Sequence, residues 1–329
     1  MQRGFLLPAL LPALLLWAST AFAQTICVFD MAGAQGPLMS AMREYTLAAK
    51  AWQADIKLRA YVDERVAAED FKAGQCDGAL LTGIRARPFN SFSGSIDSVG
   101  GLPDYDSLKS LLQTLSRPEA APLLRQQDYE IGGILPLGAA YLFISDRRID
   151  SVAKMAGRRI ATLDHDRTQL RMAERIGAQA VSADVSNFAG KFNNGVVDVA
   201  VAPGIAYEPL ELYKGVGTKG VVLKLPVAQL TLQLLLKSTA FPPSFSQHSR
   251  HYFFKQFDNT LARIKEAESL ILFFFPPPDG DAQKYSSMLR EARIDLAAEG
   301  FYDKRMMALM KKVRCKRAPA EPECTENRE

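Results

Sequence analysis

The sequence predicts an α/β protein of two lobes, each with a mostly parallel sheet flanked by helices. Segments typical of strands and helices alternate in residues 24–82 and again in residues 157–203. Such alternation favours right-handed parallel crossovers, the unit of an open α/β sheet. Pairs of apolar runs in 130–145 and 221–236 predict two strand pairs that cross between two sheets. Crossings of this kind are what a hinge between lobes requires.

The first alternating segment predicts three strands and two helices. Asp63 is placed to cap the second helix, and Gly74 to end it. Residues 83–94 (GIRARPFNSFSG) are predicted to form a loop. The predicted strands are Thr25–Asp30, Ile56–Tyr61 and Gly78–Thr82, and the helices are Pro37–Trp52 and Glu64–Ala73.

The second alternating segment has the same order of elements. It predicts a strand at Arg159–Leu163, a helix at about Thr168–Ile176, a short strand, a helix that ends at Asn194-Gly195, and an apolar strand at Val196–Val201. Ligands of open α/β sheets gather at the carboxyl ends of the strands. The sequence therefore predicts a binding site in the loops that follow these strands.

The hinge pairs are Glu130–Leu135 with Ala140–Ser145, and Val221–Leu225 with Gln229–Leu236. A long helix from about Pro243 to Ser269 and helices near Asp281–Glu299 and Tyr302–Arg314 complete the prediction. The predicted divisions are 24–130 plus about 222–250 for the first lobe, 131–221 for the second, 251–314 for helices that pack across both, and 315–329 for the tail.

Residues 1–23 have the pattern of a cleavable secretory signal peptide. Arg3 precedes an apolar stretch from Phe5 to Trp17, and Ala21-Phe22-Ala23 forms a small-x-small cleavage site. A membrane anchor needs about 20 apolar residues, and this stretch is shorter and contains two prolines. We therefore expect export to the periplasm of a Gram-negative bacterium.

The formal net charge of +4 is too mild to indicate a nucleic-acid partner. Four cysteines, an even number in an exported chain, favour disulfides and allow three pairings. Cys315 and Cys324 bracket a short proline-containing tail that suits a local disulfide, which would leave Cys27 to pair with Cys76. A metal site at these cysteines would need a Cys-x-x-Cys spacing or histidines close to them, and the sequence has neither.

Several local patterns carry a family resemblance. They are the Lys-x-x-Gly-Arg-Arg-Ile entry at 154–160, Gly177-Ala178 after the helix, the Gly-x-Val-Asp at 195–198, and the helix and strand of 63–83. This order resembles the periplasmic solute-binding proteins of tripartite ATP-independent (TRAP) transporters over most of residues 24–203. The closest resemblance is to a divergent, AdeT-like branch, some of whose members are described as components of resistance-nodulation-division efflux systems.

The resemblance implies positions for a ligand, but the residues there differ from the family pattern. Ala161 replaces the arginine that grips a carboxylate, and Arg159 lies two residues earlier. Tyr141 lies near the position of the family's second ligand-binding arginine. Ala202 occupies the position of an asparagine, and Val185 lies near that of the aromatic residue that covers the ligand. Only Asp164 keeps polar character, so the sequence predicts an apolar or amine-bearing ligand.

Polar loops at the strand ends are the alternative source of ligand contacts. The loop Asp164-His165-Asp166-Arg167 offers carboxylates, an imidazole and a guanidinium, although Asp166 also suits a helix N-cap and Arg167 a solvated position. In the first lobe Asp30, Thr82, Arg85 and Arg87 occupy equivalent loops. The two arginines suit either an anion or the solvated surface.

Three further motifs have simpler interpretations. Gly215–Gly220 matches G-x-G-x-x-G but follows a helix and precedes a strand, the reverse of a nucleotide site. His248 and His251 have the i, i+3 spacing at which two histidines of a helix can share a metal ion, but no carboxylate or cysteine lies at matching spacing, so they suit a surface pair better. Residues Ile271–Phe275, before three prolines, suit a buried helix end better than a partner-facing patch. No cofactor is predicted.

These observations predict a monomeric periplasmic solute-binding protein that captures a small molecule between its lobes and delivers it to integral membrane transporter subunits. One alternative is an accessory component of a multidrug efflux system. The other is an enzyme that uses the loop 164–167, for which no catalytic motif provides support.

Overall fold

The computed structural model describes residues 23–329. The predicted signal peptide thus lies outside the described residues, apart from Ala23 at its end. Within residues 23–329, every helix is too short or too polar to cross a membrane.

The described strands form one mixed sheet in the order β2-β1-β3-β9-β5-β8-β6-β7, with β10 on β9 and β4 on β5. We call the part around β1, β2 and β3 the first lobe, and the part around β6, β7 and β8 the second lobe. The strands are β1 (Gln24–Phe29), β2 (Ile56–Tyr61), β3 (Gly78–Thr82), β4 (Arg125–Gln126), β5 (Tyr129–Ile144), β6 (Arg159–Leu163), β7 (Gln179–Ala183), β8 (Val199–Pro203), β9 (Val221–Lys237) and β10 (Phe274–Phe275).

Both predicted parallel units are confirmed. β1 pairs in parallel with β2 and β3, and β6 pairs in parallel with β7 and β8. The last strand was predicted slightly too early, at Val196–Val201 rather than Val199–Pro203. Val196 and Val197 instead donate their backbone N–H groups to the carbonyl of Lys191 and close the preceding helix.

The two hinge pairs are each one long strand, so the prediction of shorter separate strands was wrong. β9 pairs with β3 at one end and with β5 along most of its length, and the far end of β5 pairs with β8. The prolines are accommodated at irregularities: Pro136 precedes a register shift, and Pro226 lies in a stretch of β9 that does not pair with β5. The two predicted sheets are therefore joined into one.

The helices differ from the prediction in two places. Residues 83–94 form two short helices rather than a loop, because the side chains of Thr82 and Asn90 cap them. The long helix is interrupted at Gln256. The helices are α1 (Pro37–Ala49), α2 (Glu64–Lys72), α3 (Gly83–Ala86), α4 (Ser91–Gly94), α5 (Tyr105–Leu115), α6 (Arg167–Arg175), α7 (Phe188–Asn193), α8 (Leu212–Val216), α9 (Phe245–Lys255), α10 (Phe257–Ser269), α11 (Asp281–Ala298) and α12 (Lys304–Arg317).

Helix α11 packs against the cores of both lobes. Near its start Tyr285 is buried among residues of the second lobe, including Leu142 and Ile160. Near its end Leu296 is buried in the first-lobe core with Met306 of α12. Burial of apolar side chains at both ends stabilises the arrangement of the lobes in this structure.

Both disulfides of the described chain follow the favoured pairing. Cys27 of β1 bonds Cys76 just before β3, inside the first-lobe core. Cys315 of α12 bonds Cys324 in the tail. The first covalently joins neighbouring strands of the parallel unit, and the second holds the tail on the last helix.

The remaining motifs have structural explanations. Gly215–Gly220 connects α8 to β9, and Gly217 has a positive φ of 53°, as expected for a helix-to-strand turn. His248 and His251 are exposed, and the His248 ring stacks on Trp52. The buried helix end predicted at 271–275 was wrong, because α10 ends at Ser269 and the side chains of Leu272 and Phe275 are exposed.

Candidate functional site

A small cavity lies between the carboxyl ends of the strands of the two lobes. It opens to solvent and has room for about one water molecule. Loops after β1, β2 and β3 supply one wall and the loop after β7 supplies the other. The lining residues are Phe29, Met31, Val62, Asp63, Glu64, Arg65, Arg85, Asp184, Val185 and Ser186.

Glu64 and Arg85 form a buried ion pair at this cavity. The Glu64 side chain is 1% exposed, and its Oε1 accepts a 2.6 Å hydrogen bond from the Thr82 backbone N–H. Its Oε2 lies 3.7 Å from Nε of Arg85, and neither of these two atoms has a hydrogen-bond partner. Burial raises the pKa of the Glu64 carboxyl, and the Thr82 hydrogen bonds and the Arg85 charge oppose that rise. The pair thus retains unused hydrogen-bonding capacity.

His165 lies in the loop after β6 of the second lobe, outside the cavity lining but within range of the Arg85 charge. Its Nδ1 lies 3.4 Å from Oδ1 of Asp164, while its buried Nε2 has no partner. Burial and the nearby positive charge of Arg85 lower the pKa of the imidazole. The ring is therefore predominantly neutral at pH 7, where it can donate or accept one hydrogen bond.

Arg87 and Asp166 connect the lobes directly. Nη1 of Arg87, between α3 and α4, lies 3.1 Å from Oδ1 of Asp166, which caps α6. The same carboxylate oxygen accepts hydrogen bonds from the backbone and hydroxyl groups of Thr168. The Arg87 guanidinium lies over the Tyr302 ring, and its Nη2 is buried without a partner.

Polar side chains on β9 extend this region toward the hinge. Buried Asp97 accepts hydrogen bonds from the backbone N–H and hydroxyl of Thr231, at 3.1 and 2.6 Å. Burial raises the pKa of Asp97 to about 7. Gln233 bonds Ser93, whereas both amide atoms of buried Gln229 lack partners. Unpaired buried polar atoms are uncommon in folded proteins, so those of Gln229 are candidates to bind a water molecule or a solute.

The predicted site residues are only partly brought together. Arg85 and Val185 line the cavity, Thr82 supports Glu64, and Asp166 forms the inter-lobe pair. Asp164 lies beside His165 and is half exposed. The structure thus gathers members of both predicted strand-end loops.

The other predicted residues have different surroundings. Asp30 is buried, and its carboxylate accepts hydrogen bonds from three backbone N–H groups at and before the start of α1. Arg167 is exposed and lies over the Phe301 ring. These contacts give both side chains local structural partners.

Tyr141, Ala161 and Ala202 lie together in the apolar core of the second lobe, away from the cavity lining. The Tyr141 hydroxyl donates a 3.0 Å hydrogen bond to Glu268, which also accepts one from Tyr105. Burial and the Glu268 carboxylate raise the pKa of Tyr141. A neutral tyrosine and two alanines provide no positive charge for a carboxylate.

Sequence reasoning missed Glu64, Asp97 and Gln229 as site residues. Glu64 resembles any acidic residue in the first turn of a helix, and no local pattern distinguishes it. A signal did exist on β9, where Gln229, Thr231 and Gln233 alternate within an otherwise apolar strand. Polar residues at period two indicate a polar face. Among residues 23–329, no three His, Cys, Asp or Glu side chains are grouped to hold a metal ion.

Comparisons with known proteins agree with this architecture. Solved TRAP periplasmic solute-binding proteins share the fold, including one from Desulfovibrio salexigens with bound orotic acid, at a TM-score of 0.72 and 14% identity over 89% of this chain and 99% of that one. Another, from Ralstonia eutropha with bound (S)-2-acetolactate, has a TM-score of 0.71 and 12% identity over the same shares.

Sequence relatives are considerably closer. Probable solute-binding protein AdeT1 of Acinetobacter baumannii is 42% identical over 304 residues, 92% of this chain and all of the relative. Probable solute-binding protein AdeT2 of the same organism is 28% identical over 237 residues, 71% of this chain and all of that relative. The family model described as solute-binding protein AdeT 1/2 matches residues 37–329. On this evidence the chain belongs to the AdeT 1/2 family of solute-binding proteins.

Proposed function

We propose that this protein is exported to the periplasm, captures a small molecule between its lobes, and presents it to subunits of a membrane transporter. The observation that carries the proposal is the set of buried polar atoms without partners where the lobes meet, on Glu64, Arg85, Arg87 and His165. Each could form a hydrogen bond to a solute. A buried group left unpaired destabilises a protein by about 1–3 kcal/mol, so a solute that pairs it stabilises the closed state.

Opening and closing would use the two long strands. We propose that the lobes, 24–130 with about 222–250 and 131–221, separate by small dihedral changes where β5 and β9 have irregular pairing. Pro136, Gly138 and Pro226 lie at or next to these irregularities. A solute favours closure only by its difference in affinity between the open and closed states. Ligand contacts contributed by both lobes provide that difference.

The carboxylate grip that the resemblance implies has no counterpart here, because Ala161 and Tyr141 occupy the arginine positions. We propose instead that the ligand contacts Arg85, Val185 and His165, with Thr82 and Asp166 as supports. Val62, Val185 and Phe29 supply apolar walls for an apolar or amine-bearing ligand. We expect a monomer in solution.

The test is to purify the mature protein from its own periplasm and identify any bound solute by native mass spectrometry. Thermal shifts with a broad solute panel would accompany it, using Arg85→Gln as the site variant. Arg263→Gln, at an exposed position on α10 outside the cavity, is the matched control. We expect a released small molecule whose stabilising effect is lost in Arg85→Gln and kept in the control. An empty protein that no solute stabilises would contradict the proposal.

A further inference from the structure

The cavity between the lobes presents two opposite charges side by side. Oε2 of Glu64 and Nε of Arg85 are both buried and 3.7 Å apart, and neither forms a hydrogen bond. The rest of the Glu64 carboxylate is held in place by the Thr82 backbone N–H. The carboxyl group is therefore fixed at the cavity wall, and its Oε2, buried in this arrangement of the lobes, has no donor of its own.

The other charged residues of the lining are also of both signs. Asp63 and Asp184 contribute carboxylates, and Arg65 contributes a second guanidinium. His165, outside the lining but within range of the Arg85 charge, is predominantly neutral at pH 7, since burial and Arg85 lower its pKa, so it adds no third positive charge. The remaining lining side chains are mainly apolar, namely Phe29, Met31, Val62 and Val185.

A solute with a single charge fits this lining poorly. A carboxylate on Arg85 would lie against the buried carboxylate of Glu64, and like charges at such short range repel strongly in a poorly hydrated site. An amine on Glu64 would lie against the Arg85 guanidinium for the same reason. Either solute would also leave one buried charged group without a hydrogen-bond partner. An unpaired charged group costs more free energy when it is buried than when it is exposed to water.

We propose that the ligand is a zwitterion with its ammonium and carboxylate a few bonds apart, of the α-amino-acid type, and with a small apolar side chain. Because the cavity holds only about one water molecule, the lobes must separate along β5 and β9 to admit such a solute. Its ammonium then donates to Oε2 of Glu64, its carboxylate accepts from Nε of Arg85, and its side chain contacts Val62 and Val185. This inference rests on the proposed function and names the chemical class of the solute.

The test compares L-leucine with two analogues by calorimetric titration: 4-methylpentanoate, which lacks the ammonium, and 3-methylbutylamine, which lacks the carboxylate. In the wild-type protein we expect the zwitterion to bind about 10- to 100-fold more tightly than either analogue, the range for a hydrogen bond to a buried charge. Native mass spectrometry of the protein from its own periplasm identifies the natural solute independently of any variant.

Two variants separate the contributions of the charges. Glu64→Gln keeps an oxygen for the Thr82 N–H and should shift the preference toward 4-methylpentanoate, whereas Arg85→Gln should shift it toward 3-methylbutylamine. A natural solute of one charge sign, or equal binding of a single-charge analogue, would overturn this inference and leave the solute-binding function standing. Absence of any solute in both the titrations and the mass spectra would overturn both.

Discussion

Arg87 and Asp166, which are 79 positions apart in the sequence, join the two lobes through a 3.1 Å ion pair. The Asp166 side chain is 3% exposed and that of Arg87 is 15% exposed. Each also has a second role, because Asp166 caps α6 and Arg87 lies over the Tyr302 ring. The pair therefore couples closure of the cleft to the start of a second-lobe helix.

Removing one partner of this pair should open the cleft. We expect Arg87→Met to lower the free energy of unfolding by about 3 kcal/mol, because Asp166 is left as a buried, incompletely paired charge. The radius of gyration from small-angle scattering should increase. The double variant Arg87→Met, Asp166→Asn should lose less than the sum of the two single variants. Strict additivity in this cycle would show that the two side chains do not interact.

Asp97 should make stability depend on pH. Burial raises its pKa in the folded protein to about 7, above the usual value of 3.8. The folded state therefore holds this proton more tightly than the unfolded state. The contribution of the Asp97 proton to the free energy of unfolding is fully present below about pH 4 and is lost as the pH rises to about 7. The free energy falls by at most about 1.4 kcal/mol per pH unit.

The measurement is the difference in unfolding free energy between the wild type and Asp97→Asn, which keeps an oxygen for Thr231. The unfolding free energy of the wild type, relative to that of Asp97→Asn, should fall between about pH 4 and 7 and stay constant above that range. A difference that stays constant across the range would mean that Asp97 has an ordinary pKa.

The two disulfides should contribute unequally. Cys27–Cys76 closes a separation of 49 residues and is buried in the first-lobe core, whereas Cys315–Cys324 closes 9 residues in the tail. On the chain-entropy model their contributions are about 4 and about 2.5 kcal/mol. We expect Cys27→Ala, Cys76→Ala to lower the melting temperature more than Cys315→Ala, Cys324→Ala. The reverse order would contradict this account.

The tail should be held by buried ion pairs. Glu329 pairs with Arg293 and Arg314, and the side chains of these three residues are 2–8% exposed. Burial lowers the pKa of Arg293, and the Glu329 carboxylate counteracts that effect. Glu329→Gln should therefore destabilise the protein by about 3 kcal/mol.

The matched control is Glu291→Gln, since the ion pair of Glu291 with Arg328 is 39% and 45% exposed. Its loss should change stability by less than about 1 kcal/mol. Chemical denaturation of both variants measures the contrast. Equal effects would show that the tail pair contributes no more than a surface pair.

The sequence was sufficient for the parallel units because their signals are local. Alternating apolar segments and capping residues such as Asp63 and Asp166 mark the elements directly. The continuity of β5 and β9 could not be predicted, since Pro136 and Pro226 resemble strand ends and only tertiary pairing accommodates them. The break at Gln256 likewise has no glycine or proline to mark it.

The candidate site was predicted less completely for a physical reason. Arg85 and Val185 follow strands, so their position at the cleft is a consequence of the fold. The contact of Arg87 with Asp166 and the free oxygen of Glu64 depend on how the lobes close, which no local pattern encodes. Tyr141 and Ala202 matched family positions, yet their side chains are buried in the second-lobe core.

We propose that a solute binds between the lobes, at the carboxyl ends of the strands. Hydrogen–deuterium exchange of the protein with and without its natural solute tests this most directly. We expect slower exchange in the segments at 83–87, 163–168 and 184–187, in both lobes together. Slower exchange confined to one lobe, or to surfaces away from these loops, would contradict it.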